Sequence, residues 1–358
     1  MPNKIVLKKK IPTFQKKILI PGDKSISIRW ILISSLSDGI SEAKNLLMSG
    51  DVLASIKAIK KLGVKVYVKN NICKIHGVGV NGYKYKKNIV INAQNSGTLG
   101  RLISGLLIDT PFPIKIIGDN SLSKRDFRRV TKPLSKFGAS FYLRNSSNLP
   151  LTIMGSKKLK PIKFFEDKGS AQCKSSIIFA GIKTNGKTSI KAKKSRDHTE
   201  LLLKYLKLPI KIIKNKNFDL IEVNKVKKIK PINYNIPSDI SSGAFFIALT
   251  VLSKNSKLTI KNININPTRI GIIKILKKMG VRFLFLNKKI YKGELIADIF
   301  IQTPKNLKPI NCPPELNSEA IDEFLVIFLI AAKAKGISNF KNLEELNKKE
   351  SPRLKWGS

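Results

Sequence analysis

Acidic residues are scarce in this chain. Its 358 residues include 23 Asp and Glu against 68 Lys and Arg, which gives a formal net charge of +45 at pH 7. So large a positive charge raises the possibility of a nucleic-acid partner. The lysines are scattered along the chain, however, and Lys, Ile and Asn are abundant together, as A/T-biased codon usage would produce. We therefore interpret the charge mainly as compositional drift, which anionic ligands would tolerate.

Cysteine and histidine are also rare. Cys73, Cys173 and Cys312 are the only cysteines, and they show no CxxC spacing. This argues against a disulfide framework and against a zinc site. His76 and His198 are the only histidines and lie far apart in sequence, so a histidine-based metal centre is not expected. The composition predicts a reduced, cytoplasmic protein without a metal.

Long hydrophobic runs are absent. The longest, residues 324–332, is too short for the roughly 20 residues that a membrane span needs. Residues 1–10 lack the apolar segment of a signal peptide. Hydrophobic residues nevertheless make up 42% of the chain, which is close to the globular norm. The length suggests about two domains.

An anion-binding motif is predicted at residues 21–29, which read Pro-Gly-Asp-Lys-Ser-Ile-Ser-Ile-Arg. The first two residues separate two apolar stretches, a pattern typical of a strand, a tight turn and the start of a helix. A helix start offers unpaired N–H groups and the positive end of the helix dipole. Lys24, Ser25 and Arg29 add two charges and a hydroxyl donor, which suits phosphate or carboxylate. The alternative is a capped helix with solvated charges.

A unit of sequence recurs four times. Each copy combines a helical stretch, an end resembling Lys-Lys-Leu-Gly and an alternating strand. The copies close at Gly63, Gly138, Pro209 and Gly280, which are 75, 71 and 71 residues apart. The predicted helical stretches are 51–63, 126–138, 197–209 and 268–280, and the predicted strands are 64–68, 139–143, 210–213 and 281–285. Such spacing indicates one supersecondary unit used several times.

Further motifs follow in a fixed order. They are Asn-Ser-Gly-Thr-Leu-Gly-Arg at 95–101, Gly-Asp-Asn-Ser-Leu-Ser-Lys-Arg-Asp-Phe-Arg-Arg-Val at 118–130, Ser-Ala-Gln-Cys-Lys-Ser at 170–175, Ser-Arg-Asp-His-Thr-Glu at 195–200, Pro-Ser-Asp-Ile-Ser-Ser at 237–242 and Lys-Glu-Ser at 349–351. Together with residues 21–29, the set resembles the family of 5-enolpyruvylshikimate-3-phosphate synthases (EPSP synthases). The resemblance runs from about residue 18 to residue 353.

The resemblance implies an α/β fold, a two-domain inverse barrel of six βαβαββ units with the active site in the cleft. Residues 21–235 would form one domain of three units, and residues 1–20 and 236–358 the other. The chain stops at Ser358 inside the helix of a further unit, so the last unit would be largely missing. The family carries a Gly-Asp-His-Arg motif and a late lysine beyond that point. We therefore expect a truncated and catalytically impaired enzyme.

The resemblance also implies the reaction. The enolpyruvyl group of phosphoenolpyruvate is transferred to the 5-hydroxyl of shikimate-3-phosphate and phosphate is released, a transferase step of the shikimate pathway towards chorismate and the aromatic amino acids. No metal or organic cofactor takes part, but two phosphates and two carboxylates need cationic groups, and the reacting carbons need an acid and a base. The expected partners are these two small molecules, without a membrane or a specific nucleic acid, and a monomer is expected.

Site residues carry over position by position. Those expected at shikimate-3-phosphate are Lys24, Ser25, Arg29, Ser170, Ala171, Gln172, Arg196, Asp322 and Lys349. Those expected at phosphoenolpyruvate are Lys24, Asn95, Gly97, Thr98, Arg125, Gln172 and Arg353. The expected catalytic residues are Lys24 at both substrates, Asp322 as the base at the 5-hydroxyl and Glu350 as the proton donor to C3.

Three points qualify these roles. Helix capping is the alternative role for Asp322, and capping by Asp197 competes with phosphate binding by Arg196. The family's Lys-Glu-Ser-Asp-Arg run is altered here, because Pro352 replaces the aspartate. The loss of that carboxylate weakens any pairing that orients Arg353.

Two other functions stay open. UDP-N-acetylglucosamine enolpyruvyl transferase shares the fold and chemistry, but it carries Lys-Asn-Ala where this chain has Lys-Ser-Ile-Ser at 24–27, and a cysteine-bearing loop that this chain lacks near 124–125. The chain could also be a non-catalytic remnant that binds anions or nucleic acid through its charge. A steep salt dependence of DNA binding favours the remnant, whereas calorimetric binding of shikimate-3-phosphate favours the enzyme.

Overall fold

The computed structural model describes residues 10–348, 351 and 353–357. The strands are β1 (Gln15–Ile18), β2 (Asp38–Lys44), β3 (Lys65–Lys69), β4 (Ile72–Val78), β5 (Val90–Asn92), β6 (Ile114–Ile117), β7 (Ser140–Arg144), β8 (Asn148–Met154), β9 (Lys163–Glu166), β10 (Thr188–Lys193), β11 (Ile210–Lys214), β12 (Phe218–Val223), β13 (Tyr234–Asn235), β14 (Lys257–Asn264), β15 (Phe283–Tyr291) and β16 (Glu294–Gln302). The α-helices are α1 (Lys24–Ser35), α2 (Gly50–Lys61), α3 (Gly97–Leu106), α4 (Arg128–Ser135), α5 (Ala171–Gly181), α6 (His198–Tyr205), α7 (Ile240–Leu252), α8 (Gly271–Lys278), α9 (Asn317–Ala320), α10 (Phe324–Ala331) and α11 (Arg353–Gly357). Short 3₁₀ turns lie at Leu122–Lys124, Pro314–Leu316 and Glu344–Lys348.

The chain divides into two compact units. Unit 1 takes in the described parts of 1–20 and 295–358, together with 238–289, and unit 2 takes in 21–237 and 290–294. This division differs from the domains expected from the sequence at residues 236–237 and 290–294. Each unit has its own hydrophobic core.

Unit 2 contains three four-stranded sheets with one shared topology. Their strand orders are β13-β2-β4-β3, β5-β6-β8-β7 and β9-β10-β12-β11. In each sheet the first two strands pair in parallel and the remaining pairs are antiparallel. The repeat seen in the sequence therefore corresponds to a repeated sheet.

The described part of unit 1 contains a fourth sheet of the same kind, in the order β1-β14-β16-β15. Strand β1 pairs with β14 in parallel, and β14 pairs with β16 antiparallel. An isolated parallel bridge joins Asn311 and Asn339 in the same unit. Helices α7 and α10 pack against each other there.

Three apolar helices, α1, α3 and α5, lie at the centre of unit 2. In α1 every residue from Ile26 to Ser35 is buried, and α3 packs against α5. Gly105 makes that contact possible, because a Cβ atom there would come within 2.1 Å of the carbonyl oxygen of Ser176. The backbones of α3 and α5 therefore fix the distance between these helices.

Left-handed residues end the repeated outer helices. Gly63, Gly138 and Gly280 follow α2, α4 and α8 with φ of +88°, +111° and +93°, a conformation that glycine adopts without steric cost. After α6 the left-handed residue is Lys207, with φ +55°. The third copy thus turns at a lysine, two residues ahead of its closing residue Pro209.

The predicted α/β fold is confirmed. Helices α2, α4, α6 and α8 fall on the four predicted helical stretches, and strands β3, β7, β11 and β15 follow them. The predicted start of a helix after residues 21–23 is confirmed by α1. In the part of the chain that the structure describes, no helix is long and apolar enough to cross a membrane.

Candidate active site

The start of α1 carries the first group of predicted site residues. The carboxylate of Asp23 caps the helix by accepting the backbone N–H of Ile26 at 2.9 Å. Gly22 lies so close to the neighbouring backbone that a Cβ atom would meet the carbonyl oxygen of Asn45 at 2.1 Å. The turn therefore fixes Lys24 at the first helical position, where its side chain is 42% exposed and its Nζ lies 4.0 Å from Oδ2 of Asp51.

Arg29 is buried rather than open to solvent, with 3% of its surface exposed. Its Nε donates to Oγ1 of Thr199 at 2.7 Å, its Nη2 donates to Oγ of Ser175 at 3.1 Å, and its Nη1 donates to the carbonyl oxygen of Ser25 at 3.0 Å. Ser175 and Thr199 are also joined, at 2.7 Å. Arg29 thus connects α1 with α5 and α6.

The pKa of Arg29 reflects this position. It is lowered to about 10, mainly by burial; the charges of Glu200 and Asp23 oppose the shift, and that of Arg196 adds to it. The guanidinium still carries its charge at neutral pH. Arg29 therefore supplies a fixed positive charge beneath the start of α1.

The motif at residues 95–101 forms the turn before α3 and the first residues of that helix. Asn95 donates to the carboxylate of Asp119 at 2.6 Å, and Ser96 caps the helix by accepting the N–H of Leu99 at 3.2 Å. A Cβ atom on Gly97 would lie 2.8 Å from Nη1 of Arg125. Glycine therefore lets an arginine come against the backbone at the start of a helix, which is a suitable place for an anion.

A hydrogen-bond chain joins the starts of α3 and α5. Nη1 of Arg101 donates to Oε1 of Gln172 at 2.6 Å, and Nε2 of Gln172 donates to Oγ1 of Thr98 at 3.0 Å. The guanidinium of Arg101 also lies 5.1 Å from the ring centroid of Phe127. The structure therefore brings together Thr98 and Gln172, two residues predicted from separate motifs.

The start of α5 is capped by Ser170, which accepts the N–H of Cys173 at 3.2 Å, while its own N–H donates to Glu166 at 2.9 Å. Ala171 and Gln172 form the half-buried first turn. Burial raises the pKa of the Cys173 thiol to about 12, so the thiol is protonated and unsuited to nucleophilic attack.

Arg196 lies just before α6 and is half-buried. Its charge acts on Arg29, as the pKa of Arg29 indicates. Asp197 occupies the N-cap position of α6, but its side chain makes no cap hydrogen bond and instead pairs with Nζ of Lys214 at 3.1 Å. Side-chain capping by Asp197, the alternative raised from the sequence, is therefore wrong.

Behind these helix starts lies an ion pair that the sequence analysis did not identify. Nζ of Lys174 lies 2.6 Å from Oε1 of Glu200, and the two side chains are 0% and 3% exposed. Lys174 is next to Ser175, and Glu200 is next to Thr199, the two hydroxyl partners of Arg29. The pair therefore fastens α5 to α6 below the candidate site.

In unit 1, the predicted residues Asp322 and Arg353 contact each other. Nη1 of Arg353 lies 3.3 Å from Oδ1 of Asp322, with the side chains 19% and 24% exposed. Asp322 stands two residues before α10, whereas Glu323 holds the N-cap position. Although Pro352 replaces the family's aspartate, Arg353 thus has a carboxylate partner. Lys349 and Glu350 lie outside the described residues.

Some features of the site carried a signal in the sequence and were overlooked. Arg101 lies three residues after Thr98, so both lie on one face of α3. Lys174 is the only charged residue of α5, and a charged residue in a helix that is mostly buried commonly indicates a buried partner. Among the described residues, no cluster of His, Cys, Asp and Glu could hold a metal ion.

Comparison with known proteins gives one consistent result. The family model for EPSP synthase (3-phosphoshikimate 1-carboxyvinyltransferase) matches residues 8–356. A 3-phosphoshikimate 1-carboxyvinyltransferase of Sulfurihydrogenibium sp. is 40% identical over 349 residues, which cover 97% of this chain and 80% of that protein. The corresponding protein of Vesicomyosocius okutanii is 42% identical over 336 residues, or 94% of this chain and 76% of that protein.

Solved structures agree. An EPSP synthase from Acinetobacter baumannii superposes with a TM-score of 0.85 at 36% identity, covering 96% of this chain and 77% of that one. The enolpyruvyl transferase NikO from Streptomyces tendae superposes with a TM-score of 0.67 at 13% identity, covering 90% of this chain and 74% of that one. The second likeness concerns the fold alone.

Proposed function

The chain belongs to the EPSP synthase family. From this premise we propose which of its residues bind each substrate and which act in catalysis. The function is the transfer of the enolpyruvyl group of phosphoenolpyruvate to the 5-hydroxyl of shikimate-3-phosphate, with release of phosphate, in the shikimate pathway. Of the three functions considered from the sequence, the comparisons favour this one. Both substrates are small anions, so cationic groups and helix starts are the relevant features.

Shikimate-3-phosphate is proposed to bind at the helix starts of unit 2. Lys24 and Ser25 on α1 and the residues that begin α5 would hold the ring and its 3-phosphate, with Arg196 as a further cation. The observation that supports this most strongly is the link of α3 to α5 by Thr98 and Gln172 at 3.0 Å, because it gathers donors of separate motifs in one place. Arg29 is proposed at the carboxylate, and this contact requires that its buried guanidinium gain exposure.

Phosphoenolpyruvate is proposed to bind at the start of α3. Asn95, Gly97 and Thr98 would line its phosphate site, and Arg125, beside Gly97, would pair with that phosphate. The close approach of Arg125 to the glycine supports this role. Lys24 and Gln172 are proposed to contact both substrates, and Arg353 to hold the carboxylate of phosphoenolpyruvate.

Catalysis is proposed to use two carboxyl groups. Asp322 would accept the proton of the 5-hydroxyl as it attacks C2, and Glu350 would deliver a proton to C3. Oδ1 of Asp322 lies 3.3 Å from Nη1 of Arg353, the residue proposed at the carboxylate of phosphoenolpyruvate, which supports placing Asp322 near the reacting atoms. Lys349 is proposed as a further ligand of shikimate-3-phosphate.

The cellular location and the oligomeric state of the protein are proposed separately. We propose a cytoplasmic monomer. All three cysteines are free and buried, which suits a compartment that keeps thiols reduced. Size-exclusion chromatography with light scattering measures the mass in solution, and a mass of twice 40.0 kDa would contradict the monomer.

The substitutions Lys24→Ala and Gln172→Ala test the binding site. Each should weaken shikimate-3-phosphate binding by roughly 1.5–3 kcal/mol, the range for hydrogen bonds to charged groups. Isothermal titration calorimetry with shikimate-3-phosphate measures the change. Lys57→Ala is the matched control, because Lys57 is an exposed lysine of α2 and should leave the affinity unchanged. Unchanged affinity in both test variants would exclude the proposed binding site.

A further inference from the structure

A buried polar cluster in unit 1 is not used by any step of the reaction described above. It consists of Asp239, Ser241, Arg269 and Glu323, at the starts of α7 and α10 and in the loop before α8. Asp239, Arg269 and Glu323 are 5%, 3% and 1% exposed. Three charged side chains held out of solvent together indicate a specific arrangement, because an unpaired buried charge is costly.

The hydroxyl of Ser241 connects the cluster. It accepts a hydrogen bond from Nη2 of Arg269 at 2.7 Å and donates one to Oε1 of Glu323. Nη2 of Arg269 also lies 3.4 Å from Oδ1 of Asp239, and the same carboxylate oxygen caps α7 by accepting the N–H of Ser241 at 2.8 Å. Since a hydroxyl has one proton, these two partners fix the direction in which Ser241 donates.

The cluster ends one residue from the proposed base. Glu323 occupies the N-cap position of α10, its N–H donates to the carbonyl oxygen of Ala320 at 2.9 Å, and its carbonyl oxygen accepts the N–H of Ile327 at 3.0 Å. Hydrogen bonds therefore hold both the backbone and the side chain of Glu323 in place. Asp322 is joined to it by one peptide bond, so the direction of the Asp322 side chain depends on where Glu323 is anchored.

We propose that Ser241, Arg269 and Glu323 are positioning residues that hold Asp322 in the orientation needed to accept the proton of the 5-hydroxyl. The inference rests on the proposed role of Asp322 and adds three residues that do not touch substrate. A base must lie within hydrogen-bond reach of the proton that it abstracts, and a displacement of about 1 Å can cost a hundredfold in rate. The link from α7 through Ser241 supplies that restraint.

The substitution Ser241→Ala removes the connecting hydroxyl. We expect the kcat for phosphate release by the 358-residue protein to fall roughly 10- to 100-fold, with the KM for shikimate-3-phosphate little changed. Ser241→Thr keeps a hydroxyl and should recover most of the kcat. Ser242→Ala is the matched control, since it makes the same substitution one residue further along α7 and should leave the kcat unchanged.

A double-mutant cycle separates positioning from general support of the fold. If Ser241 acts through Asp322, Ser241→Ala should cost almost nothing in a protein that already carries Asp322→Asn. An equal loss in both backgrounds, or an unchanged kcat in the single variant, overturns the inference while leaving the role of Asp322 intact. If Asp322→Asn alone leaves turnover unchanged, the proposed base fails and the inference fails with it.

Folding is checked separately. Thermal unfolding of each variant should show the same transitions as that of the unsubstituted protein. Should Ser241→Ala not fold, Ser241→Cys replaces it in the same cycle, because the thiol fills the place of the hydroxyl but donates only a weak hydrogen bond to Glu323. The kcat should again fall roughly 10- to 100-fold. A loss of kcat that persists in the Asp322→Asn background would again overturn the inference.

Discussion

Replacing Asp322 by asparagine should reduce the kcat for phosphate release by roughly 10²–10⁴-fold, the range that a positioned general base contributes. The affinity for shikimate-3-phosphate should change far less, because the base acts in the transition state rather than in the bound ground state. Asparagine keeps the size of the side chain and an oxygen that Arg353 can contact. Steady-state kinetics and calorimetry on the same preparations separate the two effects.

Glu319→Gln is the control for this variant. It also turns an acid into its amide in unit 1, at a residue paired with Lys274 at 2.6 Å, and it should leave the kcat unchanged. Equal losses in turnover and affinity for Asp322→Asn would indicate that the carboxylate supports the local fold instead of acting as a base.

The substitution Lys174→Met should destabilise the protein by roughly 3–5 kcal/mol, the range for removing one partner of a buried ion pair. The methionine fits the space of the lysine chain, but the carboxylate of Glu200 remains 3% exposed without its cation. Urea unfolding followed by circular dichroism measures the free energy of unfolding from the midpoint and slope.

Two further variants serve as controls for the effect of Lys174→Met. Lys57→Met makes the same change at an exposed lysine and should alter the free energy of unfolding by no more than about 0.5 kcal/mol. Lys174→Met combined with Glu200→Leu removes both charges and should recover most of the loss, since an apolar pair can replace a buried ion pair. A loss below about 1 kcal/mol for Lys174→Met would contradict the prediction.

The repeated helices and strands were predictable because local rules determine them. Gly63, Gly138 and Gly280 end helices by adopting a conformation that few other residues adopt easily. The break at Pro21 and Gly22 and the apolar stretch after it likewise marked the start of α1, which Asp23 caps in the structure. These signals lie within a few residues of the structure that they specify, so a single sequence is enough to detect them.

The surroundings of the site residues were less predictable. Arg29 was expected to face a ligand, yet its guanidinium is bonded to Thr199, which lies 170 residues away in the chain. The partnership of Lys174 with Glu200 also depends on how α5 packs against α6. Such contacts follow from tertiary packing, and no pattern within either motif specifies its partner. The motif resemblance supplied candidate residues for the site but not their contacts.

The close approach of α3 and α5 at Gly105 bears on how this enzyme can evolve. Gly105 lies two helical turns after Thr98, and Ser176 lies about one turn after Gln172, so the contact of the two backbones holds the separation of those two side chains. Lysines gained on the outer surface do not alter that spacing. A lineage under a strong mutational bias can therefore exchange much of its exterior while it inherits the same geometry at the candidate site.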